Sequence, residues 1–87
     1  KLFYYSLIKL SVGLLQIERH NARAARTQLS VAVQYLAPFA PAFMGLKAAS
    51  LVDQSQNRLV LLQSGGRVDW SAMDSLQRVV FTTDPNP

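Results

Sequence analysis

The chain contains no cysteine. That removes disulfides, thiolate metal sites and thiol nucleophiles together. Other reactive groups are scarce. His20 is the one histidine, Glu18 the one glutamate, and Asp53, Asp69, Asp74 and Asp84 are scattered along the chain. No two carboxylates stand at a spacing that builds an acid–base pair, and no combination supplies three metal ligands. Ser64-Gly65-Gly66 is too short for a phosphate-binding loop and no lysine follows it. The expectation is a chain that is not an enzyme and holds no metal and no cofactor. His20 reads as a turn residue in a position that usually takes glycine, rather than as a general base or anion contact.

Charge is also sparse, at 16% of residues against 49% hydrophobic. A free small domain carries more charge on its surface. There is no membrane-length apolar run. Residues 2–17, LFYYSLIKLSVGLLQI, contain Lys9 and run into Glu18-Arg19. A span needs about 20 apolar residues. No small-residue cleavage site follows, which argues against a signal peptide. Lying on a membrane surface stays open. An intracellular or organellar setting is expected rather than secretion, with a membrane-associated complex as one possibility.

What the sequence does have is helical pattern. Its 87 residues make at most one small domain, which without disulfide or metal needs close helix packing or association. Residues 2–17 place only Ser6, Lys9, Gly13 and Gln16 on a shared polar strip. A helix apolar over most of its circumference must be covered on most sides. His20-Asn21 breaks this helix, and Asn21 is a good N-cap for the next, over about 22–36. That second helix has a stripe of Ala22, Ala25, Leu29, Ala32, Val33 and Leu36. A two-residue connection makes the two helices antiparallel.

Pro38 and Pro41 end the hairpin. Phe39, Phe43 and Met44 are expected to plug its open end. Residues 46–63 carry helix-compatible apolar positions at Leu46, Ala49, Val52, Leu59 and Leu62. The polar stretch 53–57 stands as a possible interruption. Residues 58–63, RLVLLQ, suit a strand by residue type, but helix is favoured. Ser64-Gly65-Gly66 reads as a turn. A last helix should start near Asp69–Ser71, with Asp69 or a Ser71-x-x-Asp74 box as its cap, and reach about Val80. The expected fold is therefore all-α: a small helical bundle built on an antiparallel helical hairpin. Residues 1–81 form one domain and 82–87 a tail. With no initiator Met and no capping residue before Lys1, the domain reads as a fragment of a longer chain.

Two stretches carry a resemblance. LIKLSVGLLQIERHNARAA at 7–25, followed by LAPFAPAFMGL at 36–46, resembles the small all-helical family called domain of unknown function 309. In that family, G-L-I-Q-x-A-x-G-x-x-H leads into R-G-N-x-x-G-A, and L-x-P-Y-x-P-x-F-x-G-L follows the next helix. The chain has Ser6, His20 and Ala24 where the family tends to have glycine, and Gln16 where it often has histidine. The family's H-E-x-x-E helix would lie before Lys1. The resemblance implies a helical bundle and no activity for this chain. The spacing of Gly13, Ala25, Leu29 and Ala32 is also similar to a tetratricopeptide repeat, although such repeats need about three copies.

The functional expectation is a structural or protein-interaction subunit inside a larger assembly. The partner is another subunit or a second copy, met through Phe3, Tyr4 and Leu7, or through Ile8 and Leu15 on the other flank. Trp70 reads equally as an anchor for a partner and as packing for the last helix. One alternative is a metal-dependent or hydrolytic enzyme whose catalytic residues lie upstream of Lys1. Another is a nucleic-acid or anionic-membrane module using the basic stretch Arg19, His20, Arg23 and Arg26, with net charge +4 behind it. No aromatic residue is interleaved with these arginines, which weakens single-strand binding, and the plainer reading is a solvated helix face.

Overall fold

A computed structural model of the chain describes residues 2–63, 67–76 and 79. It is all-α: α1 (Leu2–Glu18), α2 (Ala22–Leu36), a 3-10 turn (Ala37–Phe39), α3 (Ala48–Gln63) and α4 (Trp70–Ser75). The expected turn at 64–66, residue 80 and the tail at 82–87 fall outside the described residues.

The α1–α2 junction is dense with caps. His20 takes φ 56°, the left-handed conformation expected there. Its N–H donates to the Ile17 carbonyl at 2.9 Å, and the Asn21 N–H donates to the Gln16 carbonyl at 2.9 Å. This pair of bonds is a Schellman motif, which satisfies carbonyls that the helix end leaves open. Asn21 then caps α2, its side-chain oxygen accepting from the Ala24 N–H at 3.2 Å. One residue thus closes one helix and opens the next.

The two helices run antiparallel. Tyr5 meets Tyr35 edge to face at 5.2 Å, Phe3 meets Phe39 at 5.2 Å, and Gly13 lies against Leu29. Four residues of the expected stripe on α2, Ala25, Leu29, Ala32 and Leu36, are all 0% exposed, and the other two, Ala22 and Val33, are half-buried against the core. The face of α1 that meets it differs from the polarity pattern. Ser6 and Gly13, expected on a polar strip, are buried in line with Phe3 and Leu10. Size decides here rather than polarity: a β-carbon on Gly13 would come within 2.7 Å of Leu29 Cδ2. Ser6 is tolerated because its hydroxyl donates to the Phe3 carbonyl.

α2 is the middle element, with α1 on one side and α3 on the other, and α4 rests on α3. Phe3, Phe39 and Phe43 form an aromatic cluster at one end, with centroids 4.6–5.2 Å apart. Phe43 and Leu46 exchange backbone bonds of 2.8 and 3.0 Å across Met44-Gly45. Both central residues have positive φ (50° and 80°), as a type I′ turn requires. That turn carries Met44 outward to 66% exposure, so Met44 is not a plug, and Phe43 fills the role only partly at 38%.

α3 is one continuous helix, so the polar stretch 53–57 does not interrupt it and 58–63 is helical. Its buried side is Ala48, Leu51, Ser55, Arg58, Leu59 and Leu62. Ala49 and Val52 are only half-buried, so the inner face is rotated by one residue from the expected one over the first turns. Asp69 caps α4 by accepting from the Ala72 N–H at 3.0 Å. α4 stops at Ser75, short of the expected Val80, because Leu76 turns extended.

Candidate functional site

Counting 3.6 residues per turn, Phe3, Ser6, Leu10 and Gly13 fall on one line of α1, and Tyr4, Ile8, Ser11 and Leu15 on the opposite line. The first line is buried. On the second, Tyr4 is 55% exposed, Ile8 60% and Leu15 41%. Tyr5 stands beside it, exposed, with Lys9 Nζ 5.2 Å from its ring centroid. Helix α2 covers a stripe only, as helix pairs do. Leu7, Leu14 and Ile17 of α1 are half-buried against the core, and Tyr4, Ile8 and Leu15 face outward.

The contact residues expected from the sequence therefore separate. Tyr4, Ile8 and Leu15 share the outer face. Phe3 does not belong with them: it is 2% exposed and locked into the phenylalanine cluster. Leu7 is half-buried against the core. Trp70 is half-buried and also packs on the core, with its ring stacked on His20 at 4.3 Å and 4° between planes.

The basic stretch separates as well. Arg19, His20 and Arg23 are exposed. Arg26 turns inward and donates from its guanidinium to the Leu62 carbonyl at 3.0 Å. It answers one of the open carbonyls at the C-terminal end of α3 and leaves the patch. An aromatic ring does reach these residues, but it comes from Trp70 in another element, and one of its faces is taken by His20.

A cavity of about 360 Å³ lies where the C-terminal end of α1 meets α3 and α4. Leu14, Ile17 and Met73 form much of its wall, with Glu18, Asp74 and Arg58 at its polar side. Arg58 is 8% exposed and donates to the Gln54 carbonyl at 2.9 Å. Burial lowers its pKa from the ordinary arginine value.

Among the described residues no group of three or more His, Cys, Asp or Glu is placed to hold a metal ion. No described helix is long and apolar enough to cross a membrane. Comparison of the chain with protein-family models, with curated proteins and with solved structures returns no match.

Proposed function

We propose that this chain is a non-enzymatic structural or interaction subunit, and that the outer face of α1 is its contact surface. One observation carries the reading: Tyr4, Ile8 and Leu15 lie on one line of a helix whose opposite line is the core, and all three are exposed. Side chains of this kind, left in water along a helix, make a contiguous patch of the sort that marks contact sites. Covering such surface contributes about 25 cal/mol per Å². The low charge content favours the same reading. The resemblance to the helical family adds a bundle and no activity.

The test is binding of a hydrophobic dye by the folded chain. Strong dye fluorescence that falls when Ile8→Glu is introduced supports the proposal. A folded chain that binds no dye overturns it. The basic-patch alternative now rests on Arg19, His20 and Arg23, and predicts nucleic-acid affinity that drops steeply with salt. The hydrolytic alternative draws on no residue described here.

A further inference from the structure

We propose that Met44 is an oxidation site: a hydroperoxide converts its thioether to the sulfoxide, and the Tyr4 hydroxyl takes the new oxygen. The chain has two methionines, and they stand in opposite surroundings. Met73 is 5% exposed, within the core, whereas Met44 is 66% exposed on the turn between Phe43 and Leu46. Met44 also holds φ 50°, in the left-handed region where such a turn usually takes Asn, Asp or Gly. Methionine is thus an uncommon choice for this backbone, and what it supplies is a sulfur carried out to solvent. That sulfur has a partner from another element. The Tyr4 hydroxyl of α1 donates to Met44 Sδ at 3.6 Å.

In the oxidation, a lone pair on Sδ attacks one oxygen of the hydroperoxide. The S–O bond forms as the O–O bond breaks. The departing oxygen takes up the proton of the transferred one and leaves as water or an alcohol. Sulfur gives up two electrons and the peroxide gains them. A thioether sulfur is a weak acceptor. The sulfoxide oxygen is polar and accepts strongly, and a hydroxyl is already aimed at the site. Sulfoxide reductases return the thioether at the expense of a dithiol. The chain has no cysteine, so that reductant comes from outside it. Tyr4 belongs to the outer face of α1, so oxidation sets a polar group at the border of that face. Resting on the reading of that face as a contact surface, the same step regulates it: the sulfoxide weakens apolar contact there.

Hydrogen peroxide added to the folded chain tests the site, with peptide mapping by mass spectrometry to follow each methionine. Oxygen should add to Met44 on the order of tenfold faster than to Met73, because only Met44 is open to solvent. Urea should abolish the difference. Equal rates in the folded chain would overturn the proposal.

Thermal melting followed by circular dichroism tests the role of Tyr4. Oxidation at Met44 should raise the midpoint by about 1–3 °C, as one improved hydrogen bond at a mostly exposed site would. The gain should vanish in Tyr4→Phe. Equal shifts in the two chains would show that the hydroxyl does not take the oxygen. Dye binding then reads the contact surface. Peroxide should lower dye fluorescence in the native chain and leave Met44→Leu unchanged. Dye binding that survives complete oxidation of Met44 overturns the regulation. A chain that binds no dye overturns the contact surface and its regulation together, while the oxidation site is judged on mass and melting alone.

Discussion

Gly13 sits where α1 packs tightly against Leu29 of α2, and its value lies in what it omits. A β-carbon there would lie 2.7 and 2.8 Å from Leu29 Cδ2 and Cγ and 3.3 Å from the Leu29 backbone nitrogen. Glycine within a helix costs about 1 kcal/mol relative to alanine. Overpacking a close contact costs about 1–3 kcal/mol. The second effect wins, so Gly13→Ala should lower stability by about 1 kcal/mol despite its better helix propensity. Urea denaturation followed by circular dichroism reads this, and a stabilised variant would show that the hairpin can open to accept the methyl group. Gln28 presents the opposite case. Its Oε1 is buried without a hydrogen-bond partner among the described residues. An unsatisfied buried acceptor costs about 1–3 kcal/mol. Gln28→Leu, which removes the acceptor and keeps the length, should raise the denaturation midpoint. An unchanged or lowered midpoint would mean that the amide is satisfied in solution.

At the scale of elements, the hairpin stands on its junction and on its inner stripe. Asn21 both closes the α1 motif and caps α2. Asn21→Ala should therefore cost about 1 kcal/mol, the usual loss for an N-cap. Leu29→Asp should unfold the chain, because it buries an unpaired carboxylate at a position with 0% exposure. A melting curve unchanged by that substitution would refute the packing described for α1 and α2. These features were legible because they are local: a cap, a left-handed turn residue and a three-and-four stripe all write themselves in adjacent residues. What was not legible depends on partners far along the chain. Polarity alone put Ser6 and Gly13 on the outside of α1, since a wheel sorts by hydropathy and not by the size that close approach demands. α3 offers apolar or small residues on two neighbouring lines, and only its packing on α2 chooses between them. Arg26 reads as one more surface charge until Leu62, thirty-six residues later, presents a carbonyl to it. His20 and Trp70 are fifty residues apart, and nothing local to either announces the stack. Met44 takes the positive φ of a tight turn that glycine signals only at its second position. For the outer face of α1, the surplus of apolar residues was readable, while the division of Phe3 and Leu7 from Tyr4, Ile8 and Leu15 needed the packing of α2.

At the scale of the whole molecule, α4 is the least firmly held of the described helices. It has six residues, too few to be stable alone. Its hold on the rest is Met73, 5% exposed, together with the Trp70–His20 stack. Burying a methionine contributes about 1.5–3 kcal/mol, and an aromatic stack about 0.5–1.5 kcal/mol. Fixing the backbone costs about 1–2 kcal/mol for each residue ordered. The helix-internal bonds and the Asp69 cap offset part of that cost, but the balance stays small. The docking of α4 should therefore open at a lower denaturant concentration than the α1–α2–α3 core, as local unfolding does where few contacts are buried. Trp70 is the one tryptophan in the chain, so its emission reports α4 without interference, while circular dichroism reports chiefly the three long helices. The emission should shift to the red before the helical signal falls. His20→Ala should widen that gap, because it removes the stack and leaves the inner face of the hairpin untouched. Coincident transitions in both chains would show instead that α4 belongs to the same cooperative unit as the hairpin, and that Met73 rather than the stack holds it there.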